Sequence, residues 1–484
     1  MSATDEPIVD VHCHTFNADD LPVRGFIQTL HMRGVPLGGT LARLVDLLIQ
    51  GAGPGYLADK ARLDAILATA GRRDAARALA PPVDPDILER EVDAALVQLE
   101  TQDPALSHQV GVELATAEGG GELGPDRGLD DMLAATRRAV RWVKLFGKSR
   151  VDIASYLVQN FSNRVDLFCP MLVDLGVGLG DTAATTAREQ IELQEKVSRI
   201  SMLGLLPSLG KARLHPFVGF DPRTELRARA AGDIETPLDL LKAAVERYGF
   251  VGVKVYPPMG WRPIGNREGV GMTKEQATRV DEILRELYAW CEEENVPITA
   301  HSNRSNFAHE SYRDYGAPEG WIDVLDAFPG LHLNLGHFGG AQRKEDPDGW
   351  PWRIARATKD RPTLFADVGN HNIYDEDLTY AYLSMLADMF ARPESESMRE
   401  RVMYGSDWFM VAIHPESEEF LDTYERLFRD RFDAAITADF LGGAARRFLG
   451  FDDPSNKNTL RLRERYRRFA PRRVPGWLSG SRTG

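Results

Sequence analysis

Short β-type segments alternate with amphipathic helical segments after residue 164, and this alternation constrains the fold more than any other feature of the chain. Seven such segments lie at residues 165–173, 214–220, 250–256, 297–301, 331–337, 363–368 and 401–406, and an eighth at residues 8–11. Apolar periodicity predicts helices at 187–202, 237–248, 274–294, 320–328, 378–391, 417–429 and 434–449. Alternation of this kind indicates a parallel sheet, and eight β–α units predict a closed (β/α)8 TIM barrel of the α/β class.

An open, doubly wound sheet is the alternative architecture for the same alternation. It is disfavoured because no glycine-rich dinucleotide turn follows any β segment, and Gly178-Leu179-Gly180 is the nearest candidate. In the barrel, residues 1–17 supply the first strand and residues 164–450 supply the remaining strands and helices.

A long insertion, residues 18–163, separates the first strand from the rest of the predicted barrel. Apolar spacing of three and four residues predicts helices there at 40–50, 58–80, 86–100 and 128–144. The insertion leaves the barrel at the carboxyl end of strand one, so we expect it to cap the pocket and to contribute a binding residue such as Arg24 or Arg33. Dimerisation is the competing role.

The charge and the cysteine content limit the classes of partner and compartment. A formal net charge of −14 argues against nucleic acid or an anionic membrane surface as a partner. Cys13, Cys169 and Cys291 are too widely spaced for a disulfide framework or a CxxC zinc site, which fits a reducing cytoplasm. Residues 1–7 are acidic and polar, unlike a signal peptide, and the apolar stretches are too short to span a membrane. We therefore expect a cytoplasmic protein.

The C-terminal tail, residues 451–484, is the basic part of an otherwise acidic chain. We expect a solvated helix that packs on the acidic body or on a second subunit, rather than a patch for nucleic acid. A homo-oligomer is expected.

His12 and His14 lie two residues apart at the end of the first β segment. Side chains on a strand alternate between its two faces, so both imidazoles point the same way and Cys13 points the other. Two imidazoles that converge from one strand end suit a divalent metal. The alternative is a pair of structural histidines that form hydrogen bonds at a strand terminus.

Polar residues also end four other predicted strands. They are Lys254, His301, His337 and Asp407, each directly after or at the end of an apolar segment. The carboxyl ends of barrel strands face one mouth, where the chemistry of such barrels lies. We therefore expect these side chains to form one site with His12 and His14.

The motifs around these residues resemble those of the amidohydrolase superfamily, and most closely its amidohydrolase-related branch of decarboxylases such as aminocarboxymuconate-semialdehyde decarboxylase. They are Val9-Asp10-Val11-His12-Cys13-His14, Gly252-Val253-Lys254, Ala300-His301, Phe328-Pro329-Gly330, Leu335-Gly336-His337 and Met403-Tyr404-Gly405-Ser406-Asp407-Trp408. The resemblance covers about residues 5–17 and 164–450, and leaves out the insertion and the tail.

By this resemblance His12, His14, His301 and Asp407 bind a divalent cation, usually zinc. A cation of this kind lowers the pKa of its water to about 7. Asp407 is then expected to carry the water's proton to the leaving group. His337 is expected to polarise the substrate carbonyl or to act as acid and base, and its alternative is a buried histidine bonded to backbone.

Lys254 has two roles in relatives of this kind. In binuclear members a lysine at this strand end is carboxylated and bridges two metals, with His301 and His337 on the second ion. In the decarboxylase-like branch it can stay an unmodified amine that binds a substrate carboxylate as a point charge. We favour one ion; a purely structural ion-pair lysine is the remaining alternative.

Several further residues are candidates for substrate binding. They are Asn303 and Arg304 after His301, His371 after the seventh segment, and Trp408 beside Asp407. The sequence as a whole predicts a metal-dependent hydrolase acting on an amide, a lactone or another polarised carbonyl of a small, carboxylate- or carbonyl-bearing substrate. A nonoxidative decarboxylase or carbon–carbon bond hydrolase of an unsaturated or aromatic acid is the first alternative, and a non-catalytic barrel scaffold is the second.

Overall fold

The computed structural model describes residues 6–28, 31–32, 35–48, 53–70, 85–118, 129–305, 308–340, 346–371, 373 and 376–479. Its eight barrel strands are β1 Val9–Cys13, β2 Leu167–Pro170, β3 Arg213–Leu214 with Phe217–Phe220, β4 Gly252–Val255, β5 Ile298–His301, β6 Leu333–Gly336, β7 Leu364–Asp367 and β8 Val402–Met403. Each lies within or next to a β segment of the sequence prediction.

The strands form a closed parallel barrel. β1 pairs with β2, β2 with the first part of β3, and the second part of β3 begins an unbroken run of parallel pairs to β8. Closure comes from a parallel bridge between Cys13 and Trp408, and from the Val11 amide, which donates to the Tyr404 carbonyl at 3.2 Å. The predicted (β/α)8 barrel is therefore confirmed, and the open doubly wound sheet is excluded.

Alternating residues of the central strands face opposite sides of the barrel wall. Ile298, Leu333 and Leu364 stand in register and belong to the large core that the outer helices cover. The next residues along these strands, Thr299 and Asn334, are buried on the other face, and the Asn334 amide donates to the Thr299 hydroxyl at 3.2 Å. The interior therefore carries a polar layer below the mouth.

Aromatic packing closes the barrel at the end opposite the mouth. Phe448, on the helix Ala444–Leu449, lies 6.3 Å from Phe217 and 5.6 Å from Phe365 between ring centroids. Apolar side chains of the described residues fill this end, so the polar strand-end residues at the opposite end lie where the chemistry of such barrels is found.

Helices surround the barrel and fill the segment between β1 and β2. In that segment they are Val23–Gln28, Gly38–Leu48, Tyr56–Ala68, Pro85–Gln102, Pro104–Glu118, Leu129–Phe146 and Arg150–Asn160, with a ribbon of His31–Met32 and Val35–Pro36. Around the barrel they are Gly176–Leu179, Ala187–Leu203, Pro222–Ala231, Pro237–Tyr248, Lys274–Glu293, Pro318–Ala327, Trp350–Ala357, Glu376–Ala391, Phe420–Arg431, Ala434–Ala438 and Ala444–Leu449. The tail contains Lys457–Phe469 and Gly476–Ser479. Residues 71–80 and 119–124 of the predicted insertion lie outside the described residues.

The helix predicted at 434–449 is divided by a wide π-helical turn at Asp439–Gly443. A Cβ atom on Gly442 would lie 1.8 Å from the carbonyl oxygen of Pro7, so the chain needs glycine where the N-terminal segment crosses it. Such π turns insert one residue into a helix and shift its following face. Phe448 lies on the helix Ala444–Leu449, which follows this turn directly.

The tail helix Lys457–Phe469 packs on the body of its own chain. Lys457 and Arg461 both pair with Glu294, and Arg465 pairs with Glu195 at 2.5 Å. The structure therefore bears out the first of the two expected packings, basic tail against acidic body.

A buried ion network joins the insertion to the segment that follows β1. Arg150 is fully buried and donates to Asp20 at 2.9 and 2.6 Å and to Asp59 at 2.9 Å. Its hydroxyl partner Thr185 lies at 3.2 Å, in the loop between β2 and the next long helix. This one guanidinium therefore ties together three separate parts of the chain.

Among the residues described, no helix combines the length and the apolar character needed to cross a membrane.

Candidate active site

Six polar residues from the carboxyl ends of the strands lie buried at that end of the barrel. They are His12, His14, Lys254, His301, His337 and Asp407, none more than 8% exposed. Ring centroids are separated by 5.6 Å for His12 and His14, and by 4.9 Å for His12 and His337. The His301 and His337 centroids lie 4.6 Å apart. The fold thus brings the strand-end residues into one continuous cluster.

The first strand leaves regular pairing where it enters this cluster. Val9 and Asp10 pair with Leu167 and Phe168, but Cys13 pairs with Pro170, so the register shifts by one residue. A bulge of this kind bends a strand and redirects its side chains. Cys13 packs into the outer core, while His12 and His14 join the cluster in the interior.

Asp10 fastens β1 to the segment after β8. Its carboxylate accepts from the Ser406 hydroxyl at 2.6 Å, from the Ser406 amide at 3.0 Å and from the His12 amide at 3.2 Å. The Asp407 amide also donates to the His12 carbonyl at 2.7 Å. These bonds fix Asp407 relative to His12.

Asp367, at the end of β7, sets the orientation of the His12 ring. Nδ1 of His12 lies 3.1 and 3.0 Å from the two oxygens of this fully buried carboxylate. Burial raises the pKa of Asp367, but the neighbouring His12 outweighs this effect and holds that pKa well below its usual range. Nδ1 therefore carries the proton, and Nε2 presents its lone pair to the site.

Backbone carbonyls orient two further rings in the same way. Nδ1 of His14 donates to the Met171 carbonyl at 2.8 Å, and Nδ1 of His337 donates to the Gly369 carbonyl at 2.8 Å. A carbonyl oxygen can only accept, so Nδ1 is protonated in both rings and Nε2 faces inward with a lone pair when the ring is neutral.

His301 stacks on Tyr256, with centroids 4.0 Å apart and planes inclined by 21°. Burial, followed by the nearby His337 and Lys254, lowers the pKa of His301 well below its usual value, so the ring is neutral. Its Nε2 is buried and has no hydrogen-bond partner among the residues that the structure describes. A buried nitrogen lone pair of this kind is suited to a metal ligand.

Asp407 supplies the carboxylate of the cluster. Its Oδ1 lies 3.1 Å from Nε2 of His14 and 3.7 Å from Nε2 of His12. Burial raises the pKa of Asp407, but the hydrogen bond with His14 and the nearby His12 outweigh it and lower that pKa to about 2. The residue is ionised at neutral pH and has a left-handed backbone, with φ of 55°.

Lys254 places its amine beside the first histidine. Nζ lies 3.0 Å from Nε2 of His12. Burial lowers the pKa of Lys254 to about 8, although Asp367 and Asp407 act in the opposite direction. Within the described residues no carboxylate oxygen forms an ion pair with this amine inside 4.0 Å, so the purely structural ion-pair role loses support.

The segment that carries His337 is a left-handed turn. The φ angles of His337, Phe338, Gly339 and Gly340 are 68°, 47°, 69° and 74°, and the Gly340 amide donates to the His337 carbonyl at 2.8 Å. Left-handed backbone costs a non-glycine residue about 1–2 kcal/mol. Strain of this size persists where surrounding bonds enforce it, and it often accompanies function.

The donor set fits a divalent cation. Ligand atoms of His12, His14 and Asp407 all lie within 4.8 Å of one another. Two imidazole nitrogens and a carboxylate oxygen are typical zinc ligands. The fourth residue of the expected set, His301, is not in this group and lies next to His337.

The residues expected to bind substrate are dispersed. Arg304 is 43% exposed by its side chain, pairs with Asp314 at 3.0 Å and lies over the Trp350 ring at 4.7 Å. Asn303 caps the same loop through a bond to the Arg304 amide at 2.8 Å. Arg304 therefore lies at the rim, whereas Asn303 is half-buried beside the turn that follows His337, where a Cβ on Gly340 would lie 2.5 Å from its Oδ1. For Arg24 no side-chain position is described, and Arg33 lies outside the described residues.

Trp408 and His371 are both buried near the cluster. Trp408 is 1% exposed, and its carbonyl accepts from the His14 amide. His371 is 4% exposed, and its Nε2 lies 3.0 Å from the carbonyl oxygen of His337. The structure thus directs one nitrogen of His371 at the protein backbone.

Sequence reasoning missed Asp367 and Tyr256. Asp367 ends β7 and Tyr256 comes directly after β4. Both therefore lie at the carboxyl end of a strand, as the predicted site residues do. The signal was a carboxylate at the end of an apolar strand, within the predicted segment 363–368. Asp367 also accepts from the Asn334 amide at 2.6 Å and the Gly369 amide at 2.8 Å, so it organises the centre of the site.

Replacing Asp367 with Asn is expected to weaken zinc binding about 10–100-fold, because the neutral amide no longer fixes the proton of His12 on Nδ1. Competition with a chelator of known affinity measures the effect. Asp314→Asn, at the exposed rim, is the matched control. Equal zinc affinity in wild type and Asp367→Asn would show that this carboxylate does not orient a ligand.

Comparison with known families identifies the region that carries most of this site. A family model described as amidohydrolase matches residues 225–451. That span contains Lys254, His301, His337 and Asp407. No curated protein matches the chain.

Solved structures of enzymes are similar to the chain at low identity. An amidohydrolase from Burkholderia multivorans with bound zinc is 14% identical over 64% of this chain and 91% of its own, with a TM-score of 0.37. The 4-oxalomesaconate hydratase from Rhodopseudomonas palustris is 15% identical over 92% of this chain and 95% of its own, with a TM-score of 0.40. The 5-carboxyvanillate decarboxylase from Novosphingobium aromaticivorans, complexed with manganese and a nitrobenzoic acid, is 16% identical over 61% and 79%, with a TM-score of 0.36.

Proposed function

We propose that the chain is a member of the amidohydrolase superfamily, whose family model matches residues 225–451, and that it is a metal-dependent hydrolase that directs water onto an amide, a lactone or another polarised carbonyl. One observation carries the proposal. The Nε2 atoms of His12 and His14 converge with the Asp407 carboxylate at the carboxyl end of the closed barrel, and the rings of His337 and His301 lie beside them. The substrate is a small cytoplasmic molecule that bears a carbonyl or carboxylate group.

His12, His14 and Asp407 would hold one divalent cation, and His301 is the fourth proposed ligand. The mixed nitrogen and oxygen set suits zinc. When bound, such a cation supplies Lewis acidity and lowers the pKa of water in its coordination sphere to about 7. The orphaned Nε2 of His301 supports its inclusion.

Asp407 and His337 carry the protons in this proposal. The Asp407 carboxylate is ionised and accepts the proton of the attacking water, which it returns to the leaving group. His337 has its Nδ1 proton committed to Gly369, so its Nε2 accepts a proton in the neutral ring and donates one in the charged ring. It is placed to act as acid and base toward the substrate oxygen.

Lys254 is proposed to bind a substrate carboxylate as an unmodified ammonium. Its burial without a carboxylate partner in the described chain leaves a cation that a substrate anion would satisfy. The same observation favours a second candidate, decarboxylation of an unsaturated or aromatic acid, in which Lys254 holds the carboxylate near the ligands. Carboxylation of Lys254 would instead create a bridge for two ions.

The insertion is proposed to cap the mouth. Trp142, on its helix Leu129–Phe146, donates to the carbonyl of Phe409 at 3.1 Å. Phe146 lies 4.5 Å from Phe409 and 6.3 Å from Phe16 between ring centroids. Phe16 and Phe409 follow His14 and Asp407 by two residues each, so the insertion packs directly beside the ligands.

Metal analysis and a substrate panel test the proposal together. Purified protein is expected to contain a divalent transition metal and to hydrolyse a lactone or an amide, with ¹⁸O from labelled water in the product. Release of carbon dioxide from hydroxybenzoates without incorporation of ¹⁸O would replace hydrolysis by decarboxylation. Absence of both metal and activity would reject the enzyme proposed here.

A further inference from the structure

We propose that His371 is a positioning residue that holds His337 in its left-handed turn through a hydrogen bond to the His337 carbonyl. This inference rests on the proposed function for its catalytic consequence and on the backbone geometry for its physical basis. In this proposal the Nε2–H of His371 donates a hydrogen bond to the protein backbone, whereas the sequence predicted that His371 contacts the substrate.

The turn at His337 needs external support. Two of its four left-handed residues, His337 and Phe338, carry side chains that disfavour this backbone conformation. The other two must be glycine, since a Cβ on Gly339 would lie 2.7 Å from Cβ of Trp350 and one on Gly340 would lie 2.5 Å from Oδ1 of Asn303. The sequence His337-Phe338-Gly339-Gly340 therefore permits the turn but does not by itself enforce it.

Three bonds from the neighbouring segment enforce it. The His337 amide donates to Asp367 at 3.2 Å, its ring donates to the Gly369 carbonyl at 2.8 Å, and its carbonyl accepts from Nε2 of His371 at 3.0 Å. Every polar group of His337 except Nε2 is thus held by residues of the β7 end. His371 is the only side chain among the described residues that bonds the His337 carbonyl.

His371 is itself fixed in place. Its amide donates to the Val368 carbonyl at 3.1 Å, and its ring meets Tyr382 edge to face, with centroids 4.9 Å apart and planes at 87°. Tyr382 lies on the helix Glu376–Ala391, and both residues are at most 4% exposed. A residue of an outer helix therefore packs against the imidazole that supports the turn.

The consequence concerns the direction of Nε2 of His337. Relaxation of the turn to right-handed backbone would rotate the His337 side chain out of its contact with the rings of His12 and His301. Displacement of a reacting group by about 1 Å costs on the order of 10²-fold in rate. His371 would thus control catalysis without contact with the reacting atoms.

Two substitutions at residue 371 separate donation from packing. His371→Phe keeps a planar ring against Tyr382 but removes the donor, and His371→Gln keeps an N–H that reaches the same carbonyl. We expect kcat to fall on the order of 10²-fold in the Phe variant and to stay within a few-fold of wild type in the Gln variant. His332→Phe is the matched control, because His332 donates to the Phe448 carbonyl at 2.8 Å at the closed end of the barrel.

Crystal structures of the variants supply a readout that does not depend on activity. The φ angle of His337 is expected to become negative in His371→Phe and to remain positive in His371→Gln. A positive φ in the Phe variant with unchanged kcat would overturn the proposal. Loss of kcat in both variants with the turn intact would also overturn it, and would assign His371 to the substrate.

Gly340→Ala tests the turn if His371→Phe fails to fold. The added Cβ opposes the left-handed backbone and meets Asn303, so the same loss of kcat is expected without any change at His371. Unchanged kcat in Gly340→Ala would contradict the importance of the turn. If wild type proves inactive on every substrate, the proposed function fails, while the φ angles still decide the role of His371.

Discussion

Replacing Asp407 with Asn is expected to lower kcat on the preferred substrate by roughly 10²–10⁴-fold, which is the range for loss of a proton-transfer group. The residue is both a proposed metal ligand and the proposed proton carrier, since its Oδ1 lies 3.1 Å from Nε2 of His14. Asn retains the shape of the side chain but neither the charge nor the basicity. Steady-state kinetics and metal analysis of the same preparation measure the two effects.

The control for this substitution is Asp326→Asn, which changes an exposed carboxylate on the helix Pro318–Ala327 that pairs with Arg361. It removes the same charge far from the mouth and is expected to leave both metal content and kcat at wild-type values. If Asp407→Asn kept full activity and full metal content, Asp407 would have neither of its two proposed roles. Loss of activity with full metal content would retain the proton role alone.

Replacing Arg150 with Met is expected to destabilise the protein by about 3–5 kcal/mol, which is the cost of removing one partner from a buried ion network. The substitution leaves the carboxylates of Asp20 and Asp59 in an apolar environment without their cation. Chemical denaturation monitored by circular dichroism measures the loss. Since Asp20 follows Phe16 and His14 closely in sequence, zinc affinity is expected to fall as well.

Arg137→Met is the matched control, because Arg137 pairs with Glu89 and Asp93 at 2.6 Å each but is 40% exposed. Exposed pairs contribute about 0–1 kcal/mol, so the control is expected to unfold close to wild type. Equal destabilisation by the two substitutions would mean that burial does not increase the contribution of the Arg150 network to the free energy of unfolding. A stable Arg150→Met would indicate that the two carboxylates take up protons or water at little cost.

The barrel was predictable because one periodic signal repeats along the chain. Each apolar segment is short and is flanked by a helix, five of the eight end in a predicted site residue, and the closure of eight such units fixes where their ends meet. Helix Pro237–Tyr248 matches its predicted bounds, with a Thr236 cap and a proline that mark its start. Pro222–Ala231 was not predicted, since its arginine-rich sequence has weak apolar periodicity.

The contents of the site were less predictable than its location. The position of His12 and Asp407 after apolar strands indicates that they are site residues. The hydrogen-bond partner of each imidazole ring, however, depends on contacts across the barrel that no local sequence pattern encodes. The bond between His12 and Asp367 spans 355 residues of sequence. For Arg304 a local pattern was misleading. Its proximity in sequence to His301 suggested contact with the substrate, but its side chain pairs with Asp314 instead.

The seam between β1 and β8 has a consequence for how the protein matures. The paired imidazoles come from the beginning of the chain and the carboxylate from near its end, so the donor set is incomplete in any partly folded state that lacks the last strand. If these residues hold the proposed ion, it would be bound late in folding, and the affinity for the ion would report whether the first and the last strands have paired. A chain truncated before Asp407 would retain His12 and His14 but would lack the carboxylate that follows the eighth strand.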